Sequence, residues 1–411
     1  MIKNVAICQY LASIITNMKF DLIPALLLGA LLTTPLAAEE TLRTLTEKTI
    51  QVDPPLPKKA IVVEEDEPAT PTAPAAKALT TAEKQPTAQA ADATAEKQEV
   101  KPTLPKDRDG GVRLQIFLDQ KFFGPGIIDG KPGHFTKVAI ENYNESLGRP
   151  ADDLRVVEES VQGVETIYAT AIVPSFVDQY VDSSLPTKRP AQATRKYMSY
   201  RSVLEFMAER YHCSEELLSE LNGYSKMRNA KARMAIKVPN IEPFKIEDLK
   251  TGKSHKNEIN LTARHVVVDT NTKQVYIYQL ILPSDEEGAI TIQAAKPKLV
   301  ASFPITPGQT KFIPKGVWNL KNSVELPVWR YDKKLLETGV RGKESLTIPP
   351  GPNNPVGIIW NGLTKSGIGI HGTNNPNTIG RARSAGCIRL SNWDAARFPT
   401  LVRPGAIVKV E

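Results

Sequence analysis

Apolar and polar positions follow four different textures along the 411-residue chain. Residues 22–32 (LIPALLLGALL) form an apolar run behind the basic Met18-Lys19 and ahead of Pro35-Leu36-Ala37-Ala38. A basic start, a short apolar core and a small-residue exit predict a secretory signal over 1–38, cleaved after Ala38. The run is shorter than the roughly 20 residues a spanning helix needs, which leaves an uncleaved anchor as the other reading. Translation from Met18 gives a conventional signal, whereas Met1 adds a second, weakly apolar segment over 2–15. Val5-Ala6-Ile7-Cys8 lies before the apolar core and makes a poor lipoprotein box.

Over 39–108 the apolar periodicity disappears. No Phe, Trp or Tyr lies between Asp21 and Ile116, and Ala, Thr, Pro, Lys and Glu dominate. Such a segment cannot bury enough apolar surface to offset its chain entropy, which predicts an extended linker.

Helical spacing starts at 112–119, where Leu114, Phe117 and Leu118 share a face. A turn-rich loop with Asp129-Gly130 follows, then a helix over 137–147 that Thr136 could cap, with Val138, Ala139 and Tyr143 inward. His134 in this loop is expected to face solvent. After a connector over 151–191, Val203, Phe206 and Met207 predict a helix over 202–211. Ser214 opens another over 215–222, and 236–239 is a short strand. Between those helices, Cys213 is expected to be a packed thiol and His212 a surface imidazole. From Ala263 onward the pattern is β-rich. Strands over 265–269 and 274–278 flank a turn at Asp269-Thr-Asn-Thr272, and further strands cover 299–305 and 316–320. Asp285 to Gly288 marks an enlarged loop. Pro349-Pro-Gly-Pro-Asn-Asn-Pro355 is too proline-rich for a helix or a central strand. The fold class is therefore multidomain α+β, with a β-rich domain over 263–411 behind small helical modules.

Composition narrows the function classes. Three cysteines, at 8, 213 and 387, exclude a disulfide scaffold, and five dispersed histidines supply no metal-ligand pair. The net charge is +7, but its bases are interspersed with acids and build no arginine-rich arm, so nucleic acid is not an expected partner. Glycine patterns for nucleotide binding are absent, and no cofactor or metal is implied.

Reactive side chains concentrate in 367–390 (GIGIHGTNNPNTIGRARSAGCIRL). Ile368 and Ile370 suggest a strand that delivers His371 to its end, and Cys387 arrives in a small-residue turn after Ser384, Ala385 and Gly386. An imidazole can take a thiol's proton, and small residues leave backbone N–H groups free to face an oxyanion. Such a pair predicts a resting thiolate–imidazolium whose alkylation depends on His371. Ser391 to Asp394 reads as a capping box opening a helix through Phe398.

The pattern His371-Gly-Thr, Gly380, Ser384-x-Gly-Cys387-Ile-Arg389-Leu and Asn392-x-Asp394 resembles the L,D-transpeptidase catalytic domain, also called the YkuD domain. Phe303-Pro-Ile-Thr-Pro-Gly308, Ile313-Pro-Lys-Gly316 and Pro350-Gly-Pro-Asn-Asn-Pro-Val-Gly357 extend the resemblance over about 145 residues. It implies that Cys387 attacks the carbonyl of the third stem-peptide residue of peptidoglycan and expels a terminal D-alanine. A second stem's amine then resolves the thioester as a 3→3 cross-link. His371 would be the general acid/base, the Gly372 carbonyl would orient it, and N–H groups near Gly386 and Cys387, beside Ser384, would form the oxyanion hole. Arg389 would hold a substrate carboxylate or make a structural ion pair. Where many members carry a second His before the Gly-Cys pair, this chain has Ala385. Water as acceptor would make an L,D-carboxypeptidase, and the lysine of an envelope lipoprotein would make a protein-to-peptidoglycan ligase. Loss of catalysis would leave a wall-binding protein.

Two weaker resemblances lie upstream. Leu114-Gln115, Asp129-Gly130, Thr136 and Ala139 are similar to a small helical peptidoglycan-binding domain, over 109–150. Residues 192–242 resemble a β-α-α-β LysM repeat. There Tyr200-Arg-Ser202 replaces the usual Gly-Asp-Thr, and Arg233 replaces a Gly. Both imply glycan strands as partners and location in the periplasm or cell envelope; the oligomeric state is left open.

Overall fold

The computed structural model describes residues 102–281, 296–308, 312–313, 315–334, 342–381 and 386–411. The expected signal, nearly all of the linker, the loop at Asp285 and Ser384 with Ala385 lie outside these residues. The described parts of Val62–Tyr278 and Leu299–Glu411 form one compact unit.

Three helices come first. α1 (Arg108–Gln120) is capped by Asp107, whose carboxylate accepts the Gly110 N–H at 2.7 Å. It buries Leu114, Phe117 and Leu118, as their spacing predicts. α2 (His134–Ser146) starts three residues earlier than expected, at Gly133 without a side-chain cap, and Thr136 is buried inside it rather than capping it. His134 is exposed, as expected. α3 (Arg155–Gly163) lies in the stretch read as connector.

β1 (Tyr168–Ile172) also lies in that stretch, and it pairs antiparallel with β2 (Ala235–Pro239). Between them come α4 (Arg189–Gln192), α5 (Val203–Arg210), α6 (Glu215–Asn222) and α7 (Tyr224–Arg228). Ser202 and Ser214 cap α5 and α6 by accepting the Glu205 and Leu217 N–H groups, each at 3.0 Å. Each cap satisfies one helix-end donor and is worth about 1 kcal/mol.

The remaining chain builds a nine-stranded sheet with the order β12-β11-β10-β7-β13-β4-β5-β6, and β3 pairs with β7 off this path. Its strands are β3 (Ser254–His255), β4 (His265–Asp269), β5 (Gln274–Ile281), β6 (Lys296–Pro304), β7 (Gly316–Glu325), β10 (Ile359–Leu363), β11 (Gly369–His371), β12 (Ile388–Arg389) and β13 (Ile407–Val410). A separate pair, β8 (Trp329–Tyr331) and β9 (Leu346–Ile348), stands beside it. β4 and β5 pair in the expected antiparallel register, from His265 with Tyr278 to Asp269 with Gln274. Their near-continuous apolar runs are buried on both faces, as covered strands require. α8 (Ile259–Thr262) precedes the sheet and α9 (Asn392–Leu401) follows β12.

The helical modules do not hang from the sheet domain on a tether. Asn142 on α2 donates to Ser302 Oγ at 2.9 Å, and the Phe135 ring lies so close to Gly380 that a Cβ there would come within 2.2 Å. The Met198 N–H bonds Pro350 O at 2.8 Å, and Asn353 N bonds Met198 O at 2.9 Å, so the proline-rich loop is clamped by the segment before α5.

One charge cluster joins three parts of the chain. Asp119 of α1 is 1% exposed, takes both Arg397 guanidinium nitrogens at 2.9 and 2.7 Å, and pairs with His212 Nδ1 at 3.1 Å. His212 is therefore not the surface imidazole that its turn position suggests. Its φ is +51° and its ring stacks on Trp393 at 5.4 Å. Cys213 is packed, as expected.

Candidate active site

β11 ends on His371 because Ile370 and the glycines beside it suit a completely buried strand. Its neighbours are β10 on one side, antiparallel with Trp360 opposite His371, and β12 on the other, parallel with Arg389 opposite His371. Cys387 immediately precedes β12, so strand pairing brings the thiol's segment alongside that of the imidazole. Trp360 stacks on the His371 ring with centroids 5.4 Å apart and planes 18° from parallel. Asn361 Nδ2 bonds Ile370 O at 3.0 Å and fixes the same strand from the other side.

His371 has no exposed surface. Its Nδ1 lies 2.6 Å from Gly372 O, a contact that needs the proton on Nδ1. Nε2 is buried with no hydrogen-bond partner among the described residues. The ring is therefore held as the Nδ1–H tautomer with its basic nitrogen uncommitted. The Cys387 thiol is 2% exposed and donates to Gly367 O at 3.7 Å.

Arg389 exchanges two backbone bonds with Thr306, at 2.9 and 3.0 Å, which ties the Pro304 to Gly308 segment to β12. Thr306 Oγ1 in turn bonds Thr378 O at 3.1 Å and Gly380 N at 2.9 Å, holding the polar loop after His371. Gly308 must be a glycine here, since a Cβ on it would come within 2.5 Å of Gly386 Cα. Residues His371, Gly372, Gly386, Cys387 and Arg389 are thus gathered at one end of the sheet, while Ser384 falls outside the described residues. Among the described residues, no group of His, Cys, Asp or Glu side chains is placed to hold a metal.

Electrostatics do not favour an ion pair at rest. Burial pushes the Cys387 thiol up to about 11, against a bond from the Gly369 backbone and the Arg389 charge, which pull it down. Burial and then the Arg389 charge bring His371 down to about 3, against its bond to Gly372. Both groups are neutral near pH 7, contrary to the thiolate–imidazolium that their pairing predicts.

Two neighbouring side chains, Arg189 and Glu209, are not singled out by the sequence pattern. Arg189 of α4 lies over the Trp329 ring at 5.2 Å, and the Arg389 charge helps burial to lower its guanidinium to about 10. Asn392, at the start of α9, donates to Glu209 of α5 at 2.9 Å.

Residues 258–410 match the family model of the L,D-transpeptidase catalytic domain, YkuD. They form a YkuD-type L,D-transpeptidase catalytic domain. The probable L,D-transpeptidase ErfK/SrfK of Escherichia coli is 32% identical over 158 residues, 35% of this chain and 50% of that protein. A Bacillus licheniformis protein bearing the name YkuD is 46% identical over 61 residues, 15% of this chain and 37% of its own. The chain thus spans half or less of the length of these curated relatives. An L,D-transpeptidase structure from Mycobacterium smegmatis is 17% identical, covering 36% of this chain and 58% of that one, with a TM-score of 0.25, a likeness too slight to bear on the fold.

Proposed function

We propose that the exported, mature chain is a peptidoglycan L,D-transpeptidase forming 3→3 cross-links, with Cys387 as nucleophile and His371 as general acid/base. The observation that carries this reading is the His371 imidazole. Its Nδ1–H is committed to Gly372 O while Nε2 is left unbonded, on a strand parallel to the one that Cys387 opens.

The reaction follows from that tautomer. Cys387 Sγ bonds the carbonyl carbon of the third stem residue as its proton passes to His371 Nε2. Backbone N–H groups at Gly386 and Cys387 face the oxyanion. Collapse breaks the amide bond, and Nε2–H protonates the departing D-alanine amine, leaving a thioester and a neutral imidazole. The amine of a second stem then attacks, gives its proton to Nε2, and the thiolate leaves and takes that proton back. Arg389 binds a stem carboxylate. Burial is the main cause that lowers His371, and a stem carboxylate on Arg389 would offset the charge that adds to it. The helical modules hold wall polymer, and their glycan contacts are part of the same proposal.

Incubation of the mature protein with disaccharide-tetrapeptide, followed by mass spectrometry, tests the reading. Cross-linked dimer with D-alanine release is expected. Tripeptide monomer alone would make the enzyme an L,D-carboxypeptidase, and no release with an intact thiol would end the proposal.

A further inference from the structure

Glu209 is a carboxyl group with no part in the thiol–imidazole chemistry, yet it is only 7% exposed and lies on α5, outside the YkuD domain. Its Oε1 is 2.6 Å from the Tyr200 hydroxyl, and its Oε2 accepts from Asn392 Nδ2 at 2.9 Å. Asn392 is completely buried, and Nδ2 also reaches Pro352 O at 3.3 Å. Its Oδ1 accepts the Ile358 N–H at 3.3 Å. The same oxygen is packed against two glycines: a Cβ on Gly357 or on Gly372 would come within 2.2 Å of it. Gly372 O is the group that holds His371 Nδ1. Contacts therefore run without a break from Glu209 through Asn392 and Gly372 to the imidazole.

We propose that Glu209 is a positioning residue for His371, acting through Asn392. It fixes the orientation of the Asn392 amide, whose oxygen pins the backbone at Gly357, Ile358 and Gly372 and so keeps the Gly372 carbonyl on Nδ1. The inference rests on His371 being the base. Without Glu209, Nδ2 keeps the longer contact to Pro352 O, which holds the Asn392 amide less firmly against turning over. Its NH2 would then meet the Ile358 N–H, donor against donor, and the Gly372 backbone would move.

The surroundings of Glu209 suit a neutral acid. Tyr197, Tyr200 and Glu205 face it from its own region, with Asn353 donating to Glu205 at 2.8 Å, and Asn392 faces it from α9. Burial, with the Glu205 charge adding to it, raises its pKa to about 8 against the two bonds that lower it. Protonated, it still accepts from Asn392 through Oε2, a contact that a glutamine keeps with its carbonyl oxygen.

The test uses the full mature chain with Glu209→Ala, Glu209→Gln, Asn392→Ala and the double Glu209→Ala/Asn392→Ala. Four quantities are read: thermal unfolding, kcat and KM for D-alanine release, acylation of Cys387 by a carbapenem, and the nitrogen shifts of His371. Glu209→Ala is expected to lower kcat and acylation about 10- to 100-fold with KM nearly unchanged, the scale of a misplaced catalytic group, while Glu209→Gln restores kcat to within about threefold of wild type. The double variant should be no slower than Asn392→Ala, because the two act in series. In the nitrogen spectrum Glu209→Ala should lose the fixed Nδ1–H tautomer. A Glu209→Ala protein that melts earlier but keeps kcat and that tautomer would overturn the proposal, as would a Gln variant as slow as Ala. If wild type released no D-alanine, the transpeptidase reading would fall while the nitrogen shifts still decided the positioning claim.

Discussion

His212 and His371 are both fully buried, both stack on a tryptophan with centroids 5.4 Å apart, and both have their pKa lowered chiefly by burial. They differ in what holds Nδ1. In His212 it faces the Asp119 carboxylate, which is itself clamped by Arg397, so the ring is one member of a charge cluster joining α1, the α5–α6 turn and α9. In His371 it faces one backbone carbonyl, and the other nitrogen is buried and unbonded. The cysteines repeat the contrast. Cys213 is sealed in and burial pushes its pKa far above the ordinary thiol range, while Arg389 and the Gly369 backbone hold Cys387 to a smaller rise. Burial and a shifted pKa thus do not separate the two histidines. A buried ring nitrogen without a hydrogen-bond partner among the described residues, on the strand beside the Cys387 segment, does.

The largest effects should separate the two histidines. His371→Ala removes general acid/base catalysis and should lower kcat for D-alanine release by about 10³-fold, with thermal unfolding close to wild type. Asp119→Ala attacks the other cluster and should do the opposite. It leaves Arg397 buried beside only Asp394, at 3.8 Å, and should cost about 3–5 kcal/mol of folding stability, read by denaturant unfolding, while kcat per folded molecule falls far less. Similar losses of rate in both variants would break the comparison.

Removal of residues 102–242 tests whether the helical modules are only wall binders. As detachable modules they would raise local substrate concentration and leave turnover of small soluble stem peptides unchanged. The packing argues otherwise, since Asp119, Met198 and Glu209 all bond the YkuD domain from outside it. Turnover of soluble peptide is expected to fall at least about 10-fold even in whatever fraction folds, because Asn392 loses its bond to Glu209. Unchanged turnover would return these regions to the role of tethers.

The placement of His371 beside the Cys387 segment was legible in the sequence because it is local: 371 and 387 belong to one short motif whose glycines and apolar positions mark a strand and a tight turn. The β4–β5 hairpin and the caps at Ser214 and Ser391 were legible for the same reason. Glu209 was not. An acid between Ala208 and Arg210 on a short helix reads as solvent-facing, and its partner is 183 residues away. His212 was misread because a polar residue in a turn between helices is usually exposed, and nothing nearby announces Asp119, 93 residues earlier. β1 was missed because Tyr168–Ile172 has no fully buried position and little alternation to betray a strand. Long-range partners, rather than local propensities, hold what the pattern could not show.

Protonation should give stability a maximum near pH 6.5. His212, His255, His265 and His371 all have lowered pKa values, so they stay neutral in the fold while the unfolded chain binds protons below about 6.5; stability falls as pH drops through that value. Glu209, raised to about 8, Asp394, raised to about 7, and Glu215, also raised, have the opposite sign. They hold protons that the unfolded chain has already lost, so stability falls as pH rises toward 8. Glu209→Gln should remove a contribution that falls from about pH 4.3 to 8, flattening the alkaline side and steepening the acid side, which urea unfolding across pH 5–9 would show. A maximum above pH 8 would contradict the assignment of both carboxyls.

The smallest expected effect is the sharpest probe of the site. Were His371 holding a thiolate at rest, its replacement would slow alkylation of Cys387 at pH 7 by orders of magnitude. With the thiol near 11 and the imidazole near 3, no such thiolate exists to be lost. Iodoacetamide should therefore modify Cys387 slowly in wild type, at a rate climbing through pH 9–11, and His371→Ala should change the rate at pH 7 by no more than about threefold. Cys213, with its higher pKa, should be slower still and indifferent to the same substitution. Mass spectrometry of digested protein resolves the two thiols. A profile already flat at pH 7 and collapsing in His371→Ala would mean that an ion pair is present before substrate arrives. A small change, set against the about 10³-fold loss of turnover in the same variant, would place activation after binding, when a stem carboxylate on Arg389 offsets the charge that adds to burial in lowering His371.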